Sequence, residues 1–362
     1  MAWRTRPRLS VWWLGLVPLG CGQPGEDGAA PPEGCPAGQV VRGDGACAPL
    51  GPQGCAAVLV DVDGICRPRL EKCPPGTIPK IDEGCVAVGV IPCPTAFVDA
   101  DGLCHPQMVK CPAGSFASPL EGCLPIDGEA GCGTGTWGAI ADEPGTVWVE
   151  PSAPAGGNGS QASPFRTIDE AMAAVDDGGR VALAAGAYTA PVWIHKSIEV
   201  VGRCASLVTL AGVQLTEVYE VVVWIDAPGA TLRGVRVSGP GNGIVVTGAA
   251  GVTVDQVHVV GNRYHGILLF GAGTDATVTR SLIEATASVA DQLGRGVGTE
   301  GGAHLALGSS AVVANREAGI FFGDAAHGEV ISVLVEGTQP TPNDQGGHGI
   351  AIRDGSVVSL EA

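Results

Sequence analysis

The sequence predicts an all-β chain in two parts: a disulfide-rich repeat region and, after it, a solenoid of stacked parallel coils. Three observations predict this. Of 362 residues, 57 are Gly and 27 are Pro, while hydrophobic residues still make up 45% and aromatics only 4%. That mixture is too Gly-rich for a helical bundle and too apolar for a disordered chain. Cysteines recur with a period of 38 residues in the first third. Gly followed by a branched aliphatic recurs at steps of 23 and 30 residues in the last third.

The chain opens with a basic segment, Arg4, Arg6 and Arg8 without an acid, then the apolar run from Leu9 to Leu19, then Gly20-Cys21. A basic, apolar and small-residue order is that of an export signal, and its apolar part is too short for a stable membrane span. Gly20-Cys21 resembles a bacterial lipoprotein cleavage site, with Pro18 where Leu is usual, so Cys21 is the expected lipidation site. The expected location is the cell surface or outer membrane as a lipoprotein, with plain secretion as the alternative. A formal charge of −17 argues against nucleic acid, which leaves a lipid anchor as the only membrane contact expected.

Cys35, Cys73 and Cys111 are 38 residues apart, as are Cys47, Cys85 and Cys123. Cys55 and Cys93, and Cys66 and Cys104, repeat the same step. Such short units bury too little apolar surface to hold together without cross-links. Local pairing is the expectation: 35–47, 55–66, 73–85, 93–104 and 111–123. Cys132 and Cys204 are then left to pair with each other. Spacing alone does not prove connectivity. No C-x-x-C occurs, so zinc is disfavoured and no metal is expected. Asp61-Val-Asp-Gly64 and Asp99-Ala-Asp-Gly102 have too few oxygen ligands for a calcium loop and read as tight turns.

These signals divide the chain into a signal (1–21), a linker (22–34), Cys-rich repeats (35–132), a second linker (133–145) and the coiled body (146–362). In the body, Thr167-Ile-Asp-Glu170 is a capping box, so a helix is expected near Ile168 and should end at Gly178-Gly179. Strands are expected over Arg180–Ala184 and Val192–Val201. Next come Gly243-Ile244, Gly266-Ile267, Gly296-Val297, Gly319-Ile320 and Gly349-Ile350, which should align in one column. Four residues before these pairs stand Gly239, Asn262, Gln292, Asn315 and Gln345. The four amides suggest a side-chain ladder, with a polar ligand-binding row as the functional alternative. Val357–Leu360 reads as a strand of an incomplete last coil, and further coils or a covering chain are expected beyond it.

The runs Gly157 to Ala171, Ala184 to Tyr188 and Lys196 to Gly202 resemble the opening domain, itself of unassigned function, of secreted right-handed parallel β-helix proteins in the pectin-lyase-like superfamily. The resemblance covers about 146–362. It implies a right-handed parallel β-helix with a short N-terminal capping helix. It is weak for activity, because this fold hosts many functions.

Catalytic signatures are mostly missing. Val223-Trp-Ile-Asp226 matches a piece of the pectate lyase pattern, but Ala227 stands where His is needed. Gly347-His-Gly349 is similar to a polygalacturonase motif but lacks that family's companion carboxylates. His195 beside Trp193 reads as packing or surface. Catalytic residues are therefore unassigned, and no cofactor is expected. The two 30-residue coils carry excursions, Ala285 to Arg295 and Gly337 to His348, and loops on a rigid scaffold are where recognition concentrates. Asp291, Gln292, Arg295, Asp344, Gln345 and His348 are the candidate ligand contacts. The expected function is an exported surface protein with a binding or structural role towards extracellular polysaccharide or another surface protein. The alternative is a polysaccharide lyase or glycoside hydrolase of the same superfamily.

Overall fold

The computed structural model describes residues 39–41, 47–49, 55–62, 64, 66–74, 77–87, 93–100, 102–189, 191–212, 220–289 and 293–361. The chain divides into two compact units, 1–86 and 87–362. Cys21 and the expected Cys35–Cys47 bond lie outside the described residues.

Two of the described Cys-rich units fold around the same local contacts. The disulfides Cys55–Cys66, Cys73–Cys85, Cys93–Cys104 and Cys111–Cys123 form as the spacing predicts. In the first unit Lys72 reaches across to the Leu59 carbonyl (2.9 Å) and pairs with Asp61. In the second, Lys110 does the same to the Phe97 carbonyl (3.2 Å) and to Asp99 (2.7 Å). The lysines hold both carboxyl groups below their ordinary range. Gly64 and Gly102, each at φ +79°, close the turns by donating to the Asp61 and Asp99 carbonyls. The turn reading of these Asp-rich segments is thus the observed one.

The coiled body is three parallel sheets wound around one aliphatic column. The first sheet has seven strands: Val192–Ile194, Val221–Ile225, Asn242–Thr247, His265–Phe270, Arg295–Glu300, Ala318–Phe322 and His348–Ile352. The second starts with Thr146–Val149 and Arg180–Leu183, and the third with Gly186–Thr189. In the later coils the long strands His304–Val313 and His327–Glu336 run through both, which joins these two sheets into one. The expected helix begins at Ile168, with both halves of the capping box at Thr167 and Glu170 formed, but it ends at Ala174 with Val175 as its cap, before Gly178-Gly179. One expectation is corrected: Val192–Val201 is not a single strand. It is Val192–Ile194 and Glu199–Gly202, which belong to different sheets with a corner between them.

Ile244, Ile267, Val297, Ile320 and Ile350 stand in register, so the Gly-aliphatic pairs form one column. The glycines sit on the inside of a corner. A Cβ on Gly296 would come within 2.6 Å of the Gly319 carbonyl oxygen and 2.7 Å of Asn315 Nδ2. The amide ladder is corrected. Its members are not Asn262, Gln292, Asn315 and Gln345 but Asn262, Thr286, Asn315 and Thr338, which occupy equivalent corners of successive coils. The excursions add their residues after this corner, so counting back four from the next Gly stops short of it in the long coils. Gln345 is exposed, and Gln292 lies outside the described residues. Asn315 accepts from the Thr286 amide (2.9 Å) and donates to the Ile283 carbonyl (3.2 Å).

The last Cys-rich repeat lies along the coils. The turn between the second and third sheets uses one left-handed residue per coil, Gln256, Arg280, Ser309 and Ser332, at φ 45° to 54°. Phe116 is fully buried against this edge, in a cluster with Ile126, Leu282 and Ala311. Ser118 bonds Ser332 (2.9 Å), the Leu120 amide donates to the same hydroxyl (3.0 Å), and Ser309 donates to Glu121 (2.7 Å). Cys132 bonds Cys204 with Cα atoms 5.2 Å apart, which ties this segment to the early coils as expected.

Candidate site on the outer face of the first sheet

Strand periodicity decides what the first sheet shows to solvent. Ile194, Ile225, Val246 and Leu269 point into the core. Their neighbours therefore point out. Trp193, Trp224, Val245, Leu268, Gly298, Phe321 and Ala351 share one register row along the coil axis. Asn242, His265 and Arg295 flank it on one side, and Thr247, Phe270 and Glu300 on the other, each side in register across neighbouring coils. The result is an apolar strip bordered by Asn242, His265 and Arg295 on one side and, on the other, by Thr247 and Glu300 with the exposed Phe270 between them.

At the start of the strip Trp193 is 45% exposed. Its ring lies 5.6 Å from Trp224 and is inclined by 22° to it, and it lies 5.6 Å from the His195 ring at 28°. His195 donates from Nδ1 to Asp226 (2.6 Å) on the next coil. The register accounts for all four residues: Val192-Trp-Ile-His195 lies directly on Val223-Trp-Ile-Asp226. Sequence reading treated the two segments separately. The repeated Val-Trp-Ile, 31 residues apart, was the signal available.

Further along, the strip is closed. Arg295 lies over the Phe321 ring, 3.4 Å from its centroid. Its guanidinium also donates to Glu300 (2.5 Å) and to both carboxylate oxygens of Glu317 (2.9 and 3.2 Å). His265 is buried and donates from Nδ1 to Asn242 (3.1 Å). Its Nε2 has no hydrogen-bond partner among the described residues and faces Glu300 at 3.7 Å. Burial pushes the imidazole below its ordinary range. The His265 ring and the Arg295 guanidinium hold Glu300 low.

The sequence-predicted contacts divide as follows. Arg295 does not project from an edge loop. It begins a strand, is 9% exposed and is consumed by two glutamates and an aromatic ring. Asp344, Gln345 and His348 are exposed at the second excursion, with His348 opening a first-sheet strand. Asp291 and Gln292 lie outside the described residues. The excursions leave the coils at equivalent points, marked by the bridges Arg263–Ala287 and Arg316–Gln339.

Residues 220–361 match the family model of the right handed beta helix region. No curated protein matches the chain. Among solved structures, the pectate lyase Pel9A is similar at 18% identity and TM-score 0.47, over 55% of this chain and 56% of that one. The chain thus spans little more than half the length of that lyase. The pectin methylesterase PemA from Erwinia chrysanthemi is similar at 9% identity and TM-score 0.41, over 62% and 94%. Carrot pectin methylesterase is similar at 11% and 0.37, over 60% and 85%. With its parallel register and its family match, the coiled body is a right-handed parallel β-helix.

Proposed function

We propose that this chain is an exported β-helix protein, lipid-anchored through Cys21, whose body binds glycan along the outer face of its first sheet. One observation carries the reading: the exposed, near-parallel Trp193 and Trp224 rings beside the His195–Asp226 pair. An aromatic face takes the C–H face of a pyranose, and adjacent polar groups take its hydroxyls. Five local and long-range disulfides support export, since such bonds persist in oxidising compartments.

The test is a binding screen of soluble oligosaccharides against the intact protein, paired with detection of cleavage products. Binding that weakens at least tenfold in Trp193→Ala, with no product released, supports the reading. No saccharide bound by the intact protein would overturn it. Bound substrate turned over to shorter products would replace it with the lyase or hydrolase reading. Mass spectrometry of the mature N-terminus tests the anchor: an acylated Cys21 is expected, and an unmodified N-terminus elsewhere refutes it.

A further inference from the structure

We propose that the glycan taken by this face is an uncharged chain lying along the coil axis, and not a polyuronide. The proposal rests on the reading of the face as a glycan surface and adds the class of sugar. It is carried by the distribution of charge around the strip.

At the open end of the strip, the formal charge on the platform is that of Asp226, and its partner is His195. Lys196, next in sequence, is turned inward and donates to the Met172 (2.9 Å) and Val175 (2.7 Å) carbonyls at the helix end. At the closed end Arg295 meets two carboxylates at once, Glu300 and Glu317. His265 beside it is buried and lacks a free donor for a ligand, because Nδ1 is committed to Asn242. The face thus presents carboxylates whose cations are already engaged, within a chain of net charge −17.

The exposed Arg353 belongs to the last coil, on the side of Ile352. Coils stack at about 4.8 Å, so five coils separate it from the platform by roughly 24 Å, well beyond a screening length of about 8 Å. A chain with a carboxylate on every sugar would set like charges against Asp226, and the guanidinium within the strip, Arg295, is already held by Glu300 and Glu317. An uncharged chain meets no such penalty. Its C–H faces match Trp193, Trp224 and Leu268, and its hydroxyl edge matches Asp226 and Thr247.

The experiment compares linear neutral hexasaccharides of glucose, xylose and mannose with hexagalacturonate, by calorimetry and tryptophan fluorescence, at low and high salt. The expected result is that at least one neutral hexasaccharide binds and perturbs the fluorescence. Hexagalacturonate should bind at least tenfold more weakly at low salt, and the gap should narrow at high salt. Asp226→Asn should narrow it too. Trp193→Ala, at an exposed site, should melt like the intact protein and lose the neutral ligand at least tenfold. Hexagalacturonate binding as tightly as the neutral sugars, or more tightly, would overturn the charge argument and leave glycan binding standing. No binding of any sugar would overturn both.

Discussion

Ser118 and Ser332 lie 214 residues apart in sequence and share a buried hydrogen bond of 2.9 Å. Ser118 belongs to the last cysteine repeat and Ser332 to a left-handed corner of the β-helix. The bond marks a packed seam with Phe116 at its centre. Phe116→Ala removes a fully buried ring, and the expected loss is about 3–5 kcal/mol. The equivalent position in the preceding repeat is Ile78, which is 46% exposed, and Ile78→Ala should cost less than about 1 kcal/mol. Urea denaturation of the two variants checks the difference, and equal losses would refute the seam.

The tether Cys132–Cys204 closes 72 residues of chain. Replacing both cysteines by serine should lower stability by about 2–4 kcal/mol, since the unfolded chain regains the freedom the bond removes. Thermal melts of the double variant against the intact protein measure it. An unchanged melting temperature would show that the packed seam alone fixes the segment.

His265 gives a pH dependence whose sign follows from its burial. Its folded pKa lies below the ordinary histidine value of about 6.5, so the unfolded chain takes up a proton first as pH falls. Stability from this residue is complete above the unfolded value and is lost as pH drops below about 6.5 towards the folded value, at up to about 1.4 kcal/mol per pH unit. Arg295, Glu300 and Glu317 also face this ring, and Glu300, held low, stays ionised across this window. The stability curve between pH 7 and 5 should therefore flatten in His265→Gln. A curve of unchanged slope would show that other groups set it.

The corner column supplies a graded pair. Asn315→Ala strands both the Thr286 amide and the Ile283 carbonyl in the interior, at an expected cost of about 2–5 kcal/mol. Asn262 makes one bond, to the Gly239 carbonyl at 3.3 Å, and its Oδ1 has no partner among the described residues. Asn262→Ala should cost about 1–3 kcal/mol. Denaturant midpoints give the order, and the reverse order would refute the assignment of the column.

The sequence by itself determined what depends on local spacing. The four cysteine pairs of the described repeats, the capped helix at Thr167 and the column of Gly-aliphatic corners follow from short repeats, because neighbours in sequence or one coil apart must meet. The tertiary structure decided what depends on the path of the chain between those points. Excursions in two coils moved the corner from Gln to Thr, because extra residues after a corner change the count without changing the stack. Arg295 became a buried ion-pair partner because Glu317, on the following coil, faces it across the sheet. Phe116 became core while Ile78 stayed exposed, although both open the same kind of hairpin, since burial depends on which surface lies opposite. Trp193 and Trp224 became one platform because parallel register places residues 31 apart in sequence side by side, a distance set by coil length rather than by either residue.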